Sequence, residues 1–215
     1  MHYRAVAGVV FIMGLSHGFS QGFVNLDFEG ADLSGYGAGS VPAAQAIPGW
    51  TAYLGGTAVA EINYDAPRTG VQVDILGPDS GNPTLQGNYY VYLAGTGFNS
   101  AAIGQTGTVP VATQSLIVWG NLHGSPHATF NGQALTMQTL GQAANYGIYG
   151  ADISAFAGHT GQVLFYSAFL PGTNGDVIDN IQMSSAPIPE PGVLALFALG
   201  GLGLLCRRRR AKVTS

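Results

Sequence analysis

From Gly192 to Cys206 the chain carries no charge and is almost wholly apolar, and Arg207, Arg208, Arg209 and Arg210 close the run. As a helix rising 1.5 Å per residue, segment 192–206 spans roughly 22 Å, short of the roughly 30 Å hydrocarbon core of a bilayer. Four arginines cannot sit in lipid, so they stop transfer and stay cytoplasmic by the positive-inside rule, which places everything before Pro189 outside. Gly200, Gly201 and Gly203 weaken the helix slightly and would let another helix approach closely. The end of the chain is therefore read as a transmembrane helix, and the rest must fold without it.

Pro189-Glu190-Pro191 stands immediately before that run. The ordered trio of short polar motif, greasy span and arginine cluster resembles the PEP-CTERM sorting signal of bacterial exported proteins. The resemblance assigns 186–211 to that signal and leaves 212–215 as a short tail. It implies an exosortase-type processing enzyme as partner, cleavage near Pro189-Glu190-Pro191, transient anchoring in the inner membrane, then display at the cell surface or in extracellular polysaccharide. An ordinary C-terminal anchor with a chance Pro-Glu-Pro is the plainer alternative. Ala186-Pro187-Ile188-Pro189 reads as a short, stiff, extended linker between body and anchor.

The N-terminus agrees with export. Met1 to Arg4 is a short positive segment, Ala5 to Leu15 is nearly continuous apolar sequence, and Gly18, Ser20 and Gly22 supply the small residues of a cleavage site. Residues 1–22 are thus read as a signal peptide cut after Ser20 or after Gly22, leaving 23–185 as one body.

Of the seven basic residues, Arg4, the four tail arginines and Lys212 lie in these terminal segments, so Arg68 alone serves the body. Of the 11 acids only Glu190 lies in the tail, which leaves ten between Asp27 and Asp179. A sparsely charged, acidic body has no cationic surface for phosphates, which excludes nucleic-acid binding and disfavours anionic lipid. Cys206 is the only cysteine, so the body has no disulfide and relies on packing, hydrogen bonds or a metal.

Short β-like runs recur between turn signals: 23–28, 50–54, 59–64, 71–76, 89–93, 116–119, 128–130, 133–139, 163–169 and 177–183. Their spacing predicts an all-β sandwich or barrel. Asn131-Gly132 predicts a type I′ hairpin, 77–83 a loop, and Thr173 to Asp176 the turn into the last strand. Alternation puts Val71, Val73 and Ile75 on one face, with Gln72 and Asp74 on the other. In the last strand it puts Asp179 beside Val177 and Ile181, so an acid on an apolar face needs a partner.

Asn25-Leu26-Asp27-Phe28-Glu29, Pro48-Gly49-Trp50, Ser154-Ala155-Phe156-Ala157-Gly158 and Asp179-Asn180-Ile181 together resemble the galactose-binding-like jelly rolls that include many carbohydrate-binding modules. The resemblance implies a single jelly-roll-type β-sandwich. It also implies a structural calcium (Ca2+) between first and last strands, with Glu29 and Asp179 as the matching carboxylates and Asp27 as a further candidate. Calcium takes six to eight oxygen ligands, a chemistry these residues suit. The competing reading is that Glu29 or Asp179 caps a loop or is solvated.

His123 and His127 have helical metal-pair spacing, but Gly124 and Pro126 oppose a helix, so a polar loop is expected; His159 is expected to be exposed. Tyr36, Trp50, Tyr53, Tyr64, Tyr89, Tyr90, Tyr92, Tyr146 and Tyr149 are the candidate sugar-stacking aromatics, most of them expected in the core, as are Trp50 and Trp119. No catalytic motif fixes a nucleophile, a metal or a carboxylate pair. The expectation is a non-catalytic structural or carbohydrate-contacting protein, against a secreted hydrolase of matrix polysaccharide or a protein-binding adhesion domain.

Overall fold

The computed structural model describes residues 22–66, 70–81, 85–95, 101–120, 127–167 and 175–188. Residues 1–21 of the expected signal peptide, Arg68, His123 and the whole of 189–215 lie outside them. The body is an all-β sandwich of two sheets.

The larger sheet runs in the order β1 (Gly39–Pro42), β4 (Glu61–Tyr64), β5 (Gln72–Leu76), β6 (Tyr90–Ala94), β14 (Asp176–Ser184), β8 (Ser115–Gly120), β12 (Gly147–Asp152), β11 (Gln138–Gln142). The smaller runs β10 (Gln133–Leu135), β9 (His127–Phe130), β13 (Thr160–Ser167), β7 (Ala101–Thr108), β2 (Thr51–Leu54), β3 (Thr57–Val59). Pairing is antiparallel throughout the named strands except between β4 and β5. Ile75, Val91, Leu93 and Ile178 from the larger sheet meet Ala52, Ile103, Phe130, Val163 and Phe165 from the smaller in one apolar core. Burial of that surface is the main favourable term for folding.

Local chemistry accounts for the joints. Asn131 (φ 49°) and Gly132 (φ 77°) turn β9 into β10 with Phe130 opposite Gln133, the expected type I′ geometry. Phe156, in a 3-10 turn at Ser154–Phe156, packs on Phe130 with ring centroids 4.6 Å apart. That turn is pinned by Asp152, whose carboxylate accepts the Ser154 N–H at 2.8 Å. The same backbone bond, then the Ser154 hydroxyl, lowers the Asp152 carboxyl below the usual carboxylate range.

Several expected strands are different in the fold. Residues 23–28 form a turn, not a strand: Asn25 (φ 49°) and Phe28 (φ 58°) are left-handed, and Phe28 is driven wholly into the core. Segment 59–64 divides at Ala60 into β3 and β4, and 133–139 divides into β10 and β11; in both cases the halves join different sheets. On β5 both faces are buried, since Gln72 and Asp74 are as enclosed as Val73 and Ile75. Strict alternation also fails in β14. Its register shifts between Asp179 and Gln182, and Asn180 (φ 43°) sits in that bulge, so Ile178 and Ile181 both reach the core. His127 begins β9 instead of lying in a loop, and Trp119 is only half-buried, stacked on Tyr146 at 4.6 Å.

Candidate functional site

Two places gather the residues the sequence points to. The first is the corner where the 25–29 turn meets the β14 bulge. The Asn25 side chain closes the turn, accepting from Gly30 N at 2.8 Å and donating to the Pro48 carbonyl at 3.1 Å. Trp50, packed in the core between Phe28 and Phe165, donates its indole N–H to the Asn25 carbonyl at 2.9 Å. The bulge frees Ile181 N to reach the Leu26 carbonyl at 2.8 Å. Segments 25–29, 48–50 and 179–181 are thus one interlocked structural unit.

Glu29 and Asp179 both hold the 86–89 segment, and they hold it by its N–H groups. Glu29 Oε1 accepts from Asn88 N (2.7 Å) and Tyr89 N (2.8 Å), and Oε2 from Asn88 Nδ2 (3.1 Å). Asp179, with no exposed surface, accepts from Gln86 N at 2.9 Å and Asn180 N at 2.7 Å. Burial pushes the Asp179 carboxyl up to about 7; the two N–H bonds oppose that rise and the negative charges of Glu29 and Asp27 add to it. Asp27 accepts from Glu29 N at 3.4 Å. The side-chain oxygen of the same Gln86, Oε1, is buried with no hydrogen-bond partner. Among the described residues no group of three or more His, Cys, Asp or Glu is gathered as a metal cluster. The corner therefore offers two carboxylates, each retaining lone pairs, and one orphaned amide oxygen.

The second place is the outer face of the smaller sheet. In β13, Val163 and Phe165 enter the core while Gln162, Leu164 and Tyr166 point away from it. Register sets Leu164 opposite Gly104 and Tyr166 opposite Ala102 on β7, with Tyr53 of β2 opposite Ala102 on the other side. Small residues on the central strand thus leave a trough between two ridges. The resulting cavity of about 390 Å³ is lined by Tyr53, Gly56, Ala102, Gln162, Leu164 and Tyr166. Gln162 Nε2 crosses the trough to donate to the Tyr53 hydroxyl at 3.1 Å, and His127 stacks on Tyr166 at 4.9 Å. No lining side chain is charged.

Of the nominated aromatics, Tyr53 alone lines this groove. Trp50 and Tyr90 are buried, and Tyr92 is pushed above the usual tyrosine value by burial first and then by Asp74 and Asp176. Tyr166 and Gln162 were not singled out by sequence, and His127 was noted there only as part of an expected polar loop, although alternation along β13 would have set Gln162, Leu164 and Tyr166 on one face. His159 is exposed, as expected.

Residues 187–210 match the PEP-CTERM protein-sorting motif. This is a sorting signal of exported proteins, and the match covers Pro189, Glu190, Pro191 and Arg207 to Arg210. The protein is therefore an exported one, handled by an exosortase-type enzyme and held for a time in the membrane by its C-terminus. Among the described residues no helix is long and apolar enough to cross a membrane; segment 192–206 lies outside them. No curated protein sequence matches the chain. Among solved structures, the enzymatically active domain of bacteriophage CBA120 tailspike protein 4 is similar at 14% identity and a TM-score of 0.36, over 62% of this chain and 19% of that one. The chain spans about a fifth of that structure's length, and so low a score carries no argument.

Proposed function

We propose that the exported body is a non-catalytic module that contacts neutral polysaccharide at the cell surface or in the extracellular matrix. The observation that carries this reading is the uncharged trough on the smaller sheet, walled by Tyr53 and Tyr166 and crossed by the Gln162 amide. A pyranose ring has apolar faces and a polar rim; flat tyrosines match the first, and an amide with two phenol hydroxyls matches the second. The near absence of basic residues suits neutral rather than anionic glycans.

A glycan array probed with the mature protein tests it. Tyr53→Ala and Tyr166→Ala should each weaken binding about tenfold or more while leaving the melting temperature nearly unchanged. Silence across neutral glycans would overturn the reading. Release of reducing sugar would replace it with a polysaccharide hydrolase, and capture of a protein ligand at another face with an adhesion domain.

A structural calcium at the Glu29–Asp179 corner is a separate proposal, supported by the buried Asp179 carboxyl and the orphaned Gln86 oxygen. Glu29, Asp179 and Gln86 would hold the ion, which would neutralise the buried charge. Melting with calcium and with EDTA decides it: an unchanged midpoint leaves both carboxylates as caps of the 86–89 amides.

A further inference from the structure

Between the end of β14 and the sorting motif the chain is not a free spacer. Gln114 N donates to the Ser184 carbonyl at 2.8 Å, the Ser115 hydroxyl to the Ala186 carbonyl at 2.7 Å, and Ala186 N to Ser184 Oγ at 3.1 Å. Two residues on, half-buried Ile188 lies over Gly150 on the outer face of the larger sheet. A methyl group placed on Gly150 would run into Ile188 Cδ1, and would stand 2.7 Å from Leu140 Cδ1 and 3.0 Å from Ile117 Cδ1. Gly150 is the floor of a seat whose walls are Leu140 of β11 and Ile117 of β8, and Ile188 occupies it. Pro187 offers no N–H and a fixed φ, and Pro189 biases Ile188 to extended backbone, so the strap crosses the sheet already straightened.

We propose that the body binds the first residues of its own sorting signal, and that this docking withholds the adjoining Pro189-Glu190-Pro191 from the processing enzyme until Ile188 leaves its seat. The matched motif begins at residue 187, so its second residue, Ile188, is already packed on the sandwich. A processing enzyme must accommodate extended chain on both sides of the bond it cuts, and the residue before Pro189 is packed against a sheet. Cleavage then proceeds only from the undocked fraction, and its rate scales with that fraction. The inference rests on the sorting reading.

The test uses the full-length chain in a host that contains its processing enzyme. Ser115→Ala removes one strap hydrogen bond, and Gly150→Ala fills the seat; both lie outside the sorting signal. Pulse-chase conversion of precursor to mature protein should accelerate about threefold to tenfold in each variant, the ratio expected from loss of one modest contact. Amide hydrogen exchange at Ala186, whose N–H is bonded in the docked strap, should quicken in parallel in the unprocessed protein. If Gly150→Ala does not fold, Ser115→Ala still decides, since it only deletes an oxygen. Normal wild-type conversion with unchanged or slower variants overturns this inference alone; a wild type that is never converted overturns the sorting reading, and this inference with it.

Discussion

Asp179 is the residue on which most depends. It is fully enclosed, its two oxygens cap the amides of Gln86 and Asn180, and its folded pKa of about 7 lies above the ordinary 3.8. Between those values the folded protein keeps a proton that the unfolded chain has lost. Without metal, stability should therefore fall as pH rises from about 4 to about 7 and level off above that, by at most about 4 kcal/mol. Urea midpoints in EDTA at pH 5 and pH 8 would measure this, and Asp179→Asn should flatten the dependence. Midpoints that rise over that interval would show that the carboxylate is stabilised by its amide bonds more than it is penalised by burial. The need for a partner was legible from an acid on an apolar face. The partner itself was not, because the bulge that aims Asp179 at Gln86 shows in no local pattern: Asn180 reads as an ordinary strand residue until its φ of 43° is seen.

At the scale of elements, the strands rich in Val, Ile and Tyr were legible, and β1, β7 and β12 were missed. The central β7, Ala-Ala-Ile-Gly-Gln-Thr-Gly-Thr, lacks the β-branched density that announces a strand. Its small residues are there for its neighbours. A Cβ on Gly104 would stand 3.0 Å from Leu164 Cδ1 and 3.1 Å from Gln162 Nε2, and one on Gly107 would stand 3.0 Å from Phe23. Packing from adjacent strands overrides propensity here, and the same smallness opens the groove. Gly104→Ala should push Gln162 off the Tyr53 hydroxyl and weaken glycan binding about threefold to tenfold, while changing stability by no more than about 1 kcal/mol. Isothermal titration beside a thermal melt separates the two effects. The 25–29 turn was misread for a related reason: Leu26 and Phe28 fit a strand, but Asn25 donates to the Pro48 carbonyl and Trp50 donates to the Asn25 carbonyl, contacts made 23 to 25 residues away in sequence.

Across the whole molecule, delivery and body are chemically separate. The seven basic residues sit at the ends except for Arg68, so positive charge is concentrated in the terminal segments and is nearly absent from the body, which keeps ten acids. Replacing Arg207 to Arg210 with Gln should disturb orientation or processing of the chain without altering the fold of the body. Protease protection in spheroplasts and intact mass of the mature protein would read both, and unaltered maturation would contradict the role given to the arginines. The all-β class was legible because short runs and turn signals repeat along the body. Which strand joins which sheet was not, since β3 and β4 are separated by Ala60 alone and still part company.

The order of strands leaves four of them at the rims, β1 and β11 in one sheet and β3 and β10 in the other. Their sequences, GSVP, QTLGQ, TAV and QAL, contain no charged residue. Lysines commonly guard such rims against pairing with a second molecule. Among the described residues the guard is brevity, supplemented by Pro42 and the register shift between Thr139 and Gly141. Lateral aggregation of this protein should then answer to the length of its outermost strands and hardly at all to ionic strength.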